Sequence, residues 1–479
     1  MTVAIATRGG QGLGAGEREA LGSRVDAALT RARETGAPVL ASSTVAVERG
    51  ADPSAVAFAS RQVGEPLFCF EQPDRDGAAL AALGTALAIE ASGPERFNHV
   101  AERWRAAAAT AVSGPSEGPQ GAGLVAVGGF GFAPHASRAP GWEGFPPAVL
   151  TVPELALVRR GGDVRLTLTA LVAPDDVAAD VVGRLELRAA QLRASPLPLP
   201  DPDPAVRSRV VGAMPPEHYE SAVARAVERI GAGELEKVVL AREVDVHAPA
   251  GHDPAAAFGV LREAFPACYV FCVGRQDAAF LAASPELLVR REGQRASTVA
   301  LAGSIRRSAD PAVDDHLGEQ LLRSPKDRQE HAIVARRIER TLNAHSVWVT
   351  AAPEPDLVRM ANVQHLGTPI RAQLAEPIGA VDLAGTLHPT PAVGGEPRDV
   401  AIRLIPALEG MDRGWYAGAV GWTDAAEDGE FCVALRCALV QGRLARCYAG
   451  VGVVRDSDPA AELAETEVKL DALLPVLAA

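Results

Sequence analysis

Apolar and polar positions along this chain follow two periods. In "HYESAVARAVERI", Tyr219, Val223, Val227 and Ile230 recur every three to four residues, which marks one face of a helix, and Gly231 and Gly233 supply the stop. Helices are likewise predicted in "REALGSRVDAALTRARETG", "GPERFNHVAERWRAAAATAV", "SPKDRQEHAIVARRIERTLNA" and, from Ser457 to Leu474, "SDPAAELAETEVKLDALL". Shorter apolar and β-branched runs predict strands: "GLVAVGGFGF", "DVRLTLTALVA", "KVVLAREVDV", "ACYVFCVG", "AAFLAASPELLVRREG", "RASTVALAG", "WYAGAVGWT", "GEFCVALRCALVQG" and "LARCYAGVGVV". Consecutive strands joined by short turns argue for antiparallel sheets with helices outside, an α+β arrangement rather than repeated βαβ units.

The clearest seam is "SPLPLPDPDP", Ser195 to Pro204, whose prolines enforce a stiff, extended connector. It separates an N-terminal portion, 1–204, from a C-terminal portion, 205–479. With 479 residues, 48% of them hydrophobic and 22% charged, the chain has material for one large core or two ordinary ones. A net charge of -13 argues against a nucleic-acid or anionic-membrane surface. An anionic small molecule would therefore need a local cationic pocket. No apolar run approaches the roughly 18 residues of a membrane span, and the first residues lack a leader pattern, so a cytoplasmic location is expected. The acidic surface and the lack of coiled-coil heptads make a monomer the expectation. The six cysteines lie in apolar surroundings without metal-site spacing and read as reduced, small hydrophobes. "GGQGLGA", Gly9 to Ala15, fits GxGxxG/A in form, but the next strand, "APVLASST", lacks the acidic end that a dinucleotide site wants; it reads as a flexible loop.

Two helices carry carboxylates in a pattern that invites chemistry. Near the C-terminus, Glu462, Glu465 and Lys469 stand three and four residues apart. On an exposed face such a pair adds only about 0.2–0.5 kcal/mol to the helix. In "SPKDRQEHAIV", Ser324 suits the cap, Pro325 the first helical position and Asp327 the first turn. Capping explains Asp327 but not Glu330, which borders the apolar stripe of Val334, Ile338 and Leu342. If Glu330 faces Glu465, with Asp327 and Glu462 one turn back, the result is an oxygen-only cluster of the kind that suits Mg²⁺.

Ten stretches in order carry a resemblance: "EKVVLAR", "ASPELLVRR", "ALAGSIRR", "SPKDRQEHAIV", "VQHLGTPI", "TLHPTPAVGGEPR", "GWYAGAVGW", "VALRCALV", "YAGVGVV" and "ELAETEVKL". Residues 206–479 resemble the chorismate-utilising enzymes, and among them the isochorismate synthases of menaquinone and catecholate-siderophore pathways. The N-terminal part matches more loosely, through "GGFGF" and "WEGFPPAVLTVPEL". The resemblance implies two large antiparallel sheets packed together, helices outside, and an active site in the cleft between the sheets. It also implies Mg²⁺-dependent addition of water at ring carbon 2 of chorismate, with loss of the hydroxyl at carbon 4.

On that resemblance Lys237 matches the general base, which must be neutral to take a proton from water; burial or a cationic neighbour would have to lower its pKa. Glu286 matches the general acid, for which an apolar setting that raises its pKa is expected. Arg436, in an otherwise apolar run, would hold the enolpyruvyl carboxylate, aided by Tyr416 and the Gly450 N–H. Lys469, Gly303, Ser304 and Ala392 fall among the substrate-binding positions, and His365 is either a lining residue or a buried structural histidine. Glu330 and Glu465 would ligate Mg²⁺, with Asp327 and Glu462 holding its waters.

Three departures separate relatives. The lysine-nucleophile aminodeoxychorismate synthases carry lysine where this chain has Ala302. Anthranilate synthases lack the lysine at 237 and work with a glutaminase, so no such subunit is expected here. Salicylate synthases, which go on to eliminate pyruvate, tend to carry threonine at the position of Ala392. Alanine there favours stopping at isochorismate; salicylate formation and a non-catalytic chorismate-binding relative are the alternatives.

Overall fold

The computed structural model describes residues 3, 4, 6, 7, 10–114, 118–201 and 207–478. Among the described residues two large sheets dominate, of thirteen and ten strands, and their pairings are antiparallel apart from the short parallel contact of Val39–Ala46 with Val112–Ser113. In the thirteen-stranded sheet, Arg209–Gly212, Lys237–His247, Leu444–Val453, Cys437–Gln441, Ala278–Ser284 and Tyr269–Arg275 follow one another. Next to them stand Leu67–Gln72 and Ala78–Leu83, from the N-terminal portion. In the ten-stranded sheet, Val363–Leu374, Arg295–Arg306, Leu287–Glu292, Gly429–Val433 and Ala419–Asp424 are followed by Val125–Phe130. Strands from before the proline-rich seam thus enter both sheets. Ser195 to Asp201 have no regular structure, and Pro202 to Pro204 lie outside the described residues.

Inward side chains of both sheets join one core that includes Phe271 and Phe280 from the larger sheet and Phe130, Val420 and Phe431 from the smaller. A second core lies between the larger sheet and outer helices, including Leu21, Val25, Phe258 and Leu261. The six cysteines are free and buried. In the glycine-rich start, Gly9 lies outside the described residues, Gly10–Gln11 pair with Ala6–Thr7, and the helix Ala15–Thr35 follows.

Two predicted strands prove to be two strands each. "AAFLAASPELLVRREG" runs as Ala278–Ser284 in the larger sheet, breaks at Pro285 and Glu286, and resumes as Leu287–Glu292 in the smaller. "GEFCVALRCALVQG" crosses back, from Gly429–Val433 to Cys437–Gln441, and Arg436 at that crossing has φ +48°. An unbroken apolar run is what burial on both sides of a sheet demands, so hydrophobicity alone conceals a change of sheet. The crossings are laced together: Val433 N donates to Glu286 O at 3.0 Å and Ala283 N to Arg436 O at 3.1 Å.

The carboxylate-bearing helices approach from opposite sides. Pro325–Asn343, capped by Ser324, buries Val334, Ile338 and Leu342, each worth about 1.5–3 kcal/mol on burial, and packs on the smaller sheet. Pro459–Leu470, capped by Asp458, packs on Leu444–Val453 of the larger sheet. No helix among the described residues is long and apolar enough to cross a membrane.

Candidate active site

Between the two sheets lies a small cavity that opens to solvent. Its wall holds Glu286, Gly303, Ser304, Glu330, His365, Ala392, Tyr416, Arg436, Gly450, Glu465 and Lys469, eleven of the fourteen residues singled out by sequence. Lys237, Asp327 and Glu462 stand behind that wall. The acid candidate and the guanidinium come from the two sheet crossings, where the chain has no ladder to satisfy and its side chains are free to turn inward.

Glu286 is 4% exposed, and its carboxyl is pushed up to about 8. Burial is the main cause, partly offset by Lys237, Arg436, a Thr390 hydrogen bond and Lys469. Arg436 donates from Nη2 to His365 Nε2 at 3.0 Å, and His365 Nδ1 stands 3.3 Å from Gly303 O. Burial, then Arg436 and Lys469, hold His365 well below the usual imidazole value. It is therefore neutral, with its proton on Nδ1 facing Gly303 O and its lone pair facing Arg436. Burial also lowers Arg436. Its hydrogen bond to His365 is the only one its guanidinium makes among the described residues, which leaves donors for a carboxylate.

Gly303 has φ +73° and sits where the register of Arg295–Arg306 against Val363–Leu374 shifts, a bulge that turns Ser304 toward the C-terminal helix. Ser304 donates to Glu465 Oε1 at 2.5 Å, and the same oxygen lies 2.7 Å from Lys469 Nζ. Lys469 also donates to Gly450 O at 3.0 Å. A methyl group on Gly450 would come within 2.6 Å of Tyr416 Oη, and one on Gly452 within 2.1 Å of Glu330 Oε1. Both glycines of "YAGVGVV" thus make room for functional side chains crossing the strand. Tyr416 stacks on Tyr448 at 5.2 Å.

Lys237 is fully buried at the start of its strand, with Nζ 3.0 Å from Glu330 Oε1, although the angles do not make this contact a hydrogen bond. The burial that the sequence argument asked for is present, with an anion rather than a cation beside it. The four carboxylates also differ from expectation: among the described residues no group of three or more His, Cys, Asp and Glu side chains stands arranged to hold a metal ion. Instead Glu330 takes Lys237, Glu465 takes Lys469 and Glu462 takes Lys326. Gathered carboxylates repel, and the basic partners offset part of that repulsion. Asp327 retains the imprint of it: burial raises its pKa, and Glu330 and Glu465 raise it further against Ser324 and Lys326. Burial and Glu465 likewise raise Glu462. In Glu465 burial is outweighed by Lys469, Ser304 and Lys326, and its pKa is lowered.

Sequence reasoning missed Lys326 and Thr390. Both lie inside motifs already quoted, "SPKDRQEHAIV" and "HPTPAVGG", and position beside Asp327 and Ala392 was the available signal.

Residues 27–478 match the family described as chorismate binding enzyme. The chain is 37% identical over 461 residues to the salicylate biosynthesis isochorismate synthase of Pseudomonas aeruginosa, covering 96% of this chain and 94% of that one. It is 31% identical to the isochorismate synthase MenF of Bacillus subtilis, covering 94% of this chain and 96% of that one. Among solved structures, MenF, the menaquinone-specific isochorismate synthase from Escherichia coli, superposes with a TM-score of 0.78 at 28% identity, covering 94% of this chain and all of that one.

Proposed function

The chain belongs to the chorismate-binding enzymes, and from that premise we propose that its cleft converts chorismate to isochorismate. The observation that carries the reading is Glu286: a carboxyl buried in the wall of a cavity that also holds Arg436 and Lys469, and held up at about 8, keeps its proton at neutral pH. The isochorismate synthases among its relatives support the choice of reaction.

Arg436 and Lys469 supply positive charge for a dianionic substrate in a chain that is acidic as a whole. Arg436, with Tyr416 and Gly450, holds the enolpyruvyl carboxylate. Lys237 takes a proton from water as the oxygen bonds to ring carbon 2. The ring double bonds shift, the bond from carbon 4 to its hydroxyl breaks, and Glu286 gives its proton to the departing oxygen. One water enters and one leaves. Proton return from Lys237 to Glu286 through solvent restores both groups.

The residues fit a hard cation by chemistry. Their donors are oxygens only, Glu330 and Glu465 share the cavity wall, and burial, with Glu330 and Glu465 adding to it, raises the pKa of Asp327. Mg²⁺ would be held by Glu330 and Glu465, with Asp327 and Glu462 around it. Bound there, it would supply charge for the substrate's ring carboxylate. We further infer that the enzyme works in the cytoplasm as a monomer without a glutaminase subunit, since water rather than ammonia is the nucleophile, and that 1–204 serves to complete the sheets around 205–479. The product feeds menaquinone or catecholate siderophore synthesis.

Incubation with chorismate and Mg²⁺, with an EDTA control and chromatographic separation, tests the reading. Accumulating isochorismate supports it. Salicylate with pyruvate assigns the chain to the pyruvate-eliminating relatives, and binding without turnover makes it a non-catalytic one.

A further inference from the structure

The helix Arg398–Glu409 ends on a carboxylate withdrawn from water: Glu409 and Arg413 are 4% and 3% exposed, and neither lines the cavity. Arg413 donates from Nε to Glu409 Oε2 at 3.0 Å and from Nη2 to Glu409 Oε1, a two-point pair. Its other donors go to backbone, from Nη1 to Val393 O at 2.7 Å and from Nη2 to Val239 O at 2.9 Å. Glu409 Oε1 accepts from Ala241 N at 2.7 Å. The guanidinium lies 4.3 Å from the Phe132 ring centre and 5.6 Å from that of Tyr416, whose N–H donates to Arg413 O at 2.9 Å.

Stability alone is a poor reason for this pair. Burying two charges costs several kcal/mol per ion, and an apolar pair of similar volume does as well or better. What the pair provides is geometry, because each group it holds adjoins a site residue. Val239 and Ala241 follow Lys237 on its strand, and Val393 follows Ala392. The strand and that loop also meet directly, through Val239 N to Gly394 O and Glu236 N to Glu396 O, both 2.8 Å. Arg436 and Lys469 lie on other elements and are not held by it.

We propose that the Glu409–Arg413 pair is a positioning device for the reaction, fixing the Lys237 strand, the Ala392–Val393 loop and Tyr416 relative to one another. The proposal rests on the isochorismate-forming reading above. Its loss displaces the base and the loop over the ring while Arg436 and Lys469 stay in place. A misplacement of about 1 Å is enough for roughly a hundredfold loss of rate.

The test compares Arg413→Lys and Glu409→Gln with Arg291→Gln, which breaks a partly buried ion pair to Asp428 away from the cavity. Steady-state kinetics on chorismate, thermal unfolding and hydrogen–deuterium exchange are measured on each. The expected result is a 10- to 100-fold fall in kcat, with or without a change in KM, for both clamp variants, and wild-type kcat for Arg291→Gln. Faster exchange should be confined to residues 237–241 and 390–396. Unchanged kcat, an equal fall in Arg291→Gln, or unchanged exchange in those two segments overturns the proposal. Should Arg413→Lys not fold, Glu409→Gln carries the same readouts. If the wild-type protein forms no isochorismate, the functional reading fails by itself, and the exchange measurement still decides whether the pair holds the strand and loop.

Discussion

Replacing Glu286 with glutamine removes an ionisable group while keeping its shape, and the consequences for stability and activity run in opposite directions. The carboxyl is raised from 4.5 to about 8, chiefly by burial. Between those values the folded chain retains a proton that the unfolded chain has lost, so stability falls as pH rises through the window and the cost levels off above about 8. At about 1.4 kcal/mol for each pH unit crossed, the full cost is on the order of 5 kcal/mol. Glutamine escapes that cost but loses about 1–3 kcal/mol if its amide finds no partner. Denaturant unfolding of wild type and Glu286→Gln, at intervals from pH 5 to 9, should show the variant gaining steadily on wild type and ending ahead by several kcal/mol. Turnover of the same variant should fall by about 10²- to 10⁴-fold, the usual worth of a positioned general acid. Wild-type activity should decline above pH 8 as Glu286 ionises. A stability difference that stays flat across this range, or a variant that keeps wild-type turnover, refutes the assignment.

Lys237→Ala should abolish water addition, by about 10²-fold or more, while chorismate binding measured calorimetrically with Mg²⁺ persists; full retained activity removes Lys237 from the base role. Glu465→Gln should weaken Mg²⁺ and substrate binding together, and an unchanged metal titration returns Glu465 to a helix-face pair with Lys469. Gly452→Ala places a methyl 2.1 Å from Glu330 Oε1 and 2.7 Å from Lys237 Cε. It should cost more than tenfold in kcat with little change in Tm, since a carboxylate end is pushed aside more easily than a backbone; wild-type kcat contradicts that crowding. Ala392→Thr should raise pyruvate released per isochorismate formed, measured by a coupled pyruvate assay, and an unchanged ratio removes that position from product choice.

Periodicity exposed the helices Pro325–Asn343 and Pro459–Leu470, because one apolar face against solvent leaves a regular imprint. It did not expose the two sheet crossings. Pro285 is the sole punctuation in one run, and Arg436 the sole charge within "FCVALRCALV" of the other, yet each run divides between sheets. The antiparallel sheets and outer helices followed from local pattern, whereas their stacking and the cleft came through the motifs. Within the site, the residue types were legible and the pairings were not. Glu330 meets Lys237 and Glu462 meets Lys326 across long stretches of chain, and no spacing rule reports such contacts. The Glu409–Arg413 pair stands at helical i, i+4 spacing, which ordinarily marks an exposed salt bridge; burial gives it a different meaning.

The most direct test of the central claim is turnover of chorismate in ¹⁸O-labelled water with Mg²⁺, followed by mass spectrometry of the product. The account predicts isochorismate carrying one solvent-derived oxygen at ring carbon 2. Unlabelled isochorismate, or no isochorismate at all, would contradict water addition by Lys237 with protonation of the leaving hydroxyl by Glu286.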